Sequence, residues 1–150
     1  MGLDMYLTKK VYVGANYEHN GVTGTIDVYK NGEKVNVNFG KVVYIEEDAG
    51  YWRKANAIHN WFVENVQGGV DECQTSYVDQ DDLKVLLELV NEVLNDHSLA
   101  DELLPTTSGC FFGNTDYDEW YFNGLENTKE ILENILEDES GGEYYYSSSW

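Results

Sequence analysis

Arginine and proline each occur once in these 150 residues, and cysteine and methionine twice each. Lysine and arginine together number nine against 28 acidic residues, a net charge of −19. So small a cationic complement argues against bulk duplex nucleic acid as a ligand, because affinity for phosphate backbones comes from Lys and Arg displacing counterions. Cys73 and Cys110 have no short-spaced partner and read as free thiols rather than a bridge. No apolar stretch approaches the roughly 20 residues that span a bilayer. Residues 1–20 lack the basic-then-apolar pattern of a secretory leader, so the expected compartment is the cytoplasm. His19, His59 and His97 stand at no zinc-ligand spacing, and no GK[ST] phosphate loop is present. Neither a metal nor a cofactor is expected.

What is there is a foldable chain. Apolar residues make up 42% and aromatics 14%, too much for a disordered polyanion. The length suits one domain spanning residues 1–150. The charge is uneven: residues 1–70 hold eight acids and seven bases, a net of −1, whereas residues 71–150 hold twenty acids and two bases, a net of −18.

Hydrophobic spacing predicts an α+β fold, an antiparallel sheet packed with about three helices. Leu3, Met5 and Leu7 alternate with Tyr6 and continue to Val11 and Val13, a strand or two at the N-terminus. Ile26 to Lys30 and Glu33 to Phe39 flank Asn31-Gly32, a dipeptide suited to a type I′ hairpin turn. Val42 to Ile45 reads as a further strand. Tyr51 to Gln67 shows a helical face of Trp52, Ala55, His59, Phe62 and Val66, ended by Gly68-Gly69. Asp79 caps a second helix, with Asp82 in capping-box position and a stripe of Leu83, Leu86, Leu87, Val90, Val93 and Leu94 running to about Asn95. Ser108 to Asn114 reads as a short buried strand between glycines. A third helix runs from Asp116 or Asp118 to Asp138, with Trp120, Leu125, Thr128, Ile131, Leu132, Ile135 and Leu136 inward; Gly124 threatens to break it. Tyr144 to Trp150 forms a last strand or an aromatic tail.

Two constellations carry chemistry. Tyr51, Trp52, Arg53, Lys54, Asn56 and His59 gather the only arginine with a lysine, a histidine and aromatics. A guanidinium holds an anion through bidentate bonds, an aromatic ring stacks on a base, and a helix start offers amides to negative charge. The bland alternative makes the aromatics core and Arg53 half of an ion pair. The second constellation contains Ser108, Phe112, Asn114, Thr115 and Tyr117 on a strand-to-helix corner of hydroxyls and amides. Asp116, Asp118 and Glu119 follow; acids there cap a helix more readily than they ligate Mg²⁺ or Ca²⁺. A thiol–imidazole pair of Cys73 or Cys110 with His59 has no support from spacing. Along the last helix Glu119, Glu126, Glu130, Glu133 and Glu137 recur on one side, a row of carboxylates that could imitate the phosphates of a duplex or be an ordinary solvated face.

Four blocks carry a resemblance: Met1-Gly2-Leu3-Asp4-Met5-Tyr6-Leu7; Tyr51 to Val66; Leu104-Pro105-Thr106 through Gly109 to Gly113 and on to Tyr117-Asp118-Glu119-Trp120-Tyr121; and Tyr146 to Trp150. Through them the chain resembles, end to end, a family of uncharacterised small acidic proteins encoded by tailed phages and prophages. Cys110 stands where the family pattern has an aromatic residue, which implies that its thiol is not catalytic. The resemblance implies the cytoplasm of an infected bacterium and a counter-defence context, without assigning any residue a role. The expectation is a non-enzymatic protein sequestering a small anionic, nucleotide-like ligand at the two constellations. The alternatives are an acidic DNA mimic that inhibits a basic host protein through the glutamate row, and a small hydrolase using His59, Asp116 and Asp118 on a similar ligand.

Overall fold

The computed structural model describes residues 2–14, 27–38 and 41–150; Ile26, Phe39 and His19 lie outside them. Strand β1 (Asp4–Tyr12) is central to a four-stranded antiparallel sheet. It is flanked on one side by β4 (Tyr44–Arg53) and on the other by β6 (Glu143–Ser149), which pairs in turn with the short β5 (Ser76–Val78). Strands β2 (Val28–Lys30) and β3 (Glu33–Val35) form a separate two-stranded hairpin. Its turn is Asn31-Gly32, both at positive φ (53° and 82°), as a type I′ turn requires.

Among the described residues four helices accompany the sheet in an α+β fold: α1 (Asn56–Asn65), α2 (Gln80–Asn95), the single turn α3 (Ala100–Leu103) and α4 (Glu119–Glu137), with a 3₁₀ turn at His97–Leu99. Asp79 caps α2 as expected, accepting from the Asp81 amide at 2.9 Å. Asp118 caps α4, accepting from the Tyr121 amide at 3.1 Å. None of the helices is long and apolar enough to cross a membrane, among the described residues.

Strand alternation divides the sheet into two faces. Leu3 just before β1, Met5 and Leu7 of β1, Trp52 of β4, Val78 of β5, and Tyr144 and Tyr146 of β6 are buried with Ile58 and Phe62 of α1, Leu83, Leu86 and Val90 of α2, and Leu125, Leu132 and Ile135 of α4 in one core. Phe62 and Tyr146 stack with ring centres 4.0 Å apart. The opposite face exposes Tyr6, Tyr44, Tyr51 and Tyr77. Between Leu7 and Thr8 the register with β4 slips, so that Leu7 opposes Gly50 and Thr8 opposes Asp48. Gly50 lets α4 approach β4 closely: a Cβ there would stand 2.7 Å from the Ile131 Cγ2. At the other end of α4, buried Lys9 of β1 donates to Asp138 and Ser140, each at 2.5 Å.

Four local expectations are corrected. Tyr51, Trp52 and Arg53 are strand, not helix: β4 runs on to Arg53 because β1 pairs with it as far as Asp4. The chain turns at Lys54, whose φ is 56° and whose N–H donates to the Leu3 carbonyl at 2.8 Å, and the helix begins only at Asn56. Ser108 to Asn114 is a looped segment rather than a strand, bent by positive φ at Phe111 (65°) and Gly113 (92°). Gly124 does not break α4, which is continuous, and Trp120 points outward with 81% of its surface exposed.

Candidate functional site

A cleft of about 570 Å³ opens where β4 ends, α1 begins and α4 starts. Its formation follows from three local facts. The left-handed turn at Lys54 swings the chain from sheet into helix within two residues. No side chain caps the start of α1 at Ala55, so the amides of Asn56, Ala57 and Ile58 have no partner within the helix and carry its partial positive charge. The looped segment after Pro105 is pinned beside that helix start by one buried side chain, Asn56. Its Nδ2 donates to the Phe112 carbonyl at 3.2 Å and the Asn114 carbonyl at 2.8 Å, and its Oδ1 accepts from the Thr107 amide at 3.1 Å. The amide's donors and acceptor are thereby engaged inside the protein.

The cleft is lined on the β4–α1 side by Arg53, Lys54 and Ala55 to Ile58, on the loop side by Thr106, Gly113, Asn114 and Asp116, and on the helix side by Trp120, Tyr121, Gly124 and Leu125. Arg53 and Lys54 are both exposed. Arg53 Nε lies 4.0 Å from Asp4 Oδ1, a long contact with 61% of the arginine side chain exposed, so the guanidinium keeps donors for another group. The same Asp4 oxygen accepts the Tyr51 hydroxyl at 2.5 Å, which raises the phenol's pKa above its ordinary value. Asp118 has its carboxyl held below the usual range by the amide of Tyr121 and then by Asn114 Nδ2 at 3.1 Å. Tyr121 donates to the Leu104 carbonyl at 2.9 Å, and burial pushes its phenol well above the ordinary range.

Of the residues expected from sequence, Arg53, Lys54, Asn56 and Asn114 come together in this cleft. His59, Ser108 and Phe112 line a second hollow of about 320 Å³, with Asp71, Cys110 and Trp150. There His59 is buried, with Nδ1 2.7 Å from the Tyr146 hydroxyl and Nε2 2.9 Å from Asp71 Oδ2, while Trp150 Nε1 donates to Asp71 Oδ1 at 3.1 Å. Both ring nitrogens are thus engaged, which leaves neither for a cysteine thiol or a substrate proton. Trp52 is core, its indole donating to Thr128 Oγ1 at 2.9 Å. Tyr51 faces outward from the sheet, and Thr115 and Tyr117 answer Thr106: its hydroxyl donates to the Thr115 carbonyl at 2.9 Å and its amide to the Tyr117 hydroxyl at 3.3 Å. His59, Asp116 and Asp118, named for acid–base chemistry, are dispersed over the second hollow, the cleft wall and the α4 cap.

Sequence reasoning missed Trp120, Tyr121, Gly124 and Leu125 as lining residues. The signal was available for Trp120. At 3.6 residues per turn it lies about 100° from the mean direction of Leu125, Thr128, Leu132 and Ile135, too far round to share their stripe. The side of α4 that sets Ile131 near Gly50 opens onto the cleft at Trp120 and Gly124. Glu119, Glu126, Glu130, Glu133 and Glu137 are all exposed, and among the described residues only Glu133 has a cation nearby, Lys129 at 3.8 Å. Comparison of the chain with protein-family models, with curated proteins and with solved structures finds no match to any of them.

Proposed function

We propose that this chain is a non-enzymatic binding protein that sequesters a small anionic, nucleotide-like molecule in the 570 Å³ cleft. The observation that carries the reading is the meeting, in one concavity, of Arg53, Lys54, the uncapped start of α1 and the exposed ring of Trp120. Each supplies a different part of such recognition: charge and bidentate donors, backbone amides, and a stacking surface. The cleft is also within the size range of small-molecule sites. A counter-defence role in the cytoplasm of a phage-infected bacterium belongs to the same proposal and rests on the resemblance alone.

Thermal shift and calorimetry against a panel of mononucleotides test it. A binder whose affinity drops at least tenfold in the Arg53→Ala, Lys54→Ala double variant is expected, with the ligand recovered chemically unchanged. A panel with no binder sinks the reading, and conversion of the ligand to product replaces it with the hydrolase alternative.

The exposed glutamate stripe of α4 favours a second reading, an acidic inhibitor that occupies the basic groove of a host protein. In that case reversing Glu126, Glu130 and Glu133 to Lys abolishes activity while Arg53→Ala does not, and the opposite pattern refutes it.

A further inference from the structure

We infer that Trp120 and Gly124 form a slot for one planar aromatic ring, and that the ligand is of the nucleoside monophosphate class, its ring over Gly124 and its phosphate toward Arg53 and Lys54. This deepens the cleft reading and depends on it. Trp120 is 81% exposed while Trp52 and Trp61 are buried, so one large apolar surface is left in water at the mouth of a concavity. Gly124 follows one helical turn later on the same side and lines the same cleft.

Glycine is among the poorest helix formers, and here no backbone requirement calls for it, because Gly124 is not among the positive-φ glycines. Nor does packing call for it: a Cβ at this position would meet nothing within 4 Å. The helix therefore gives up stability and leaves open space in the cleft lining one turn from Trp120. A planar group can lie there, where any larger side chain would stand.

The charges around the slot limit the other end of the ligand. Arg53 and Lys54 are opposed by Asp116 in the same lining, and Asp4 lies 4.0 Å from Arg53, within a molecule of net charge −19. Two cations and the partial charge of the α1 start stand against two carboxylates, which leaves partners for one phosphoryl group at most; a triphosphate would bring anionic charge without partners. Asp116, an acceptor only, suits hydroxyl or amino donors on the sugar or ring.

Calorimetry with adenosine 5′-monophosphate, ribose 5-phosphate and adenosine 5′-triphosphate reads the slot directly. The monophosphate is expected to bind about tenfold more tightly than ribose 5-phosphate, in line with base stacking on an aromatic side chain, and more tightly than the triphosphate. Gly124→Leu should bring the monophosphate down to the ribose 5-phosphate level and leave ribose 5-phosphate unchanged, with the far-UV circular dichroism of the parent. Trp120→Ala, a change at an exposed position, should do the same. Equal binding of monophosphate and ribose 5-phosphate, or a Gly124→Leu protein that still binds the monophosphate as the parent does, overturns the slot while the anion reading stands. Tighter binding of the triphosphate overturns the assignment to monophosphates. Binding of none of the three overturns both the slot and the anion reading.

Discussion

Trp52 donates its indole N–H to Thr128 Oγ1 at 2.9 Å, and Thr128 in turn donates to the Gly124 carbonyl at 2.7 Å. This relay ties the strand that carries Arg53 to the helix that carries Trp120, so the two sides of the cleft are held at a set separation by a buried pair 76 residues apart.

Thr128→Val keeps the shape and removes the acceptor, leaving a buried indole N–H unpaired. Chemical denaturation should show a loss of about 1–3 kcal/mol, and a change below about 0.5 kcal/mol, the range of neutral surface substitutions, would count against the relay.

Asn56 is the pin of the loop side. Asn56→Asp retains the acceptor for the Thr107 amide but turns the donor to the Phe112 and Asn114 carbonyls into a carboxylate oxygen facing them. A destabilisation of about 2 kcal/mol or more is expected, together with faster amide exchange over residues 107–114. Unchanged exchange there would mean that the loop keeps its conformation without Asn56.

The Lys9–Asp138 pair sets a pH window. Lys9 holds the Asp138 carboxyl far below its ordinary value, chiefly through their hydrogen bond, and the same bond raises the Lys9 ammonium above its own. Because the carboxyl is depressed on folding, its contribution is present above the unfolded aspartate value, about 3.9, and is lost as pH falls below it. Because the ammonium is raised, its contribution is present below about 10.4 and is lost as pH climbs through the folded value. Urea midpoints of the parent and of Asp138→Asn should therefore differ most between those limits and converge toward pH 2; a constant difference down to that pH refutes the assignment.

Salt should stabilise the protein. Residues 71–150 carry a net of −18, and self-repulsion at about 10 mM salt acts over a screening length of about 30 Å, which contracts to a few ångströms near 1 M. The melting temperature is expected to rise between those concentrations, most steeply below about 0.15 M. A fall would show that pairs such as Lys84–Asp81 (2.7 Å) and Lys10–Glu46 (3.0 Å) outweigh repulsion.

Much of the fold is legible in the sequence where the information is local. Asn31-Gly32 names its own turn, Asp79 its helix start, and the stripes of α2 and α4 their buried sides. What escaped depends on partners distant in the chain. Tyr51 to Arg53 carry the period of the helix that follows them, yet β1 claims them for the sheet through pairing as far as Asp4. The true helix start has no Ser, Thr, Asp or Asn at its cap to announce it, because Ala55 occupies that position. Ser108 to Asn114 is apolar enough for a strand, but Asn56, more than fifty positions earlier, supplies hydrogen bonds that a neighbouring strand would otherwise provide. Of the candidate cleft, the basic side was named from sequence and the helical side was missed, since Trp120 was counted as core.

Lys54 is one of four non-glycine residues at positive φ among the described residues, and it forms the corner between sheet and helix. A β-carbon in the left-handed region costs about 1 kcal/mol relative to glycine. Selection for thermal endurance alone would drift this position to glycine, whereas under the proposed anion capture, selection for binding would keep the amine and tolerate the strain. A library randomised at residue 54 and sorted twice, once for heat resistance and once for ligand retention, should enrich different residues in the two sorts.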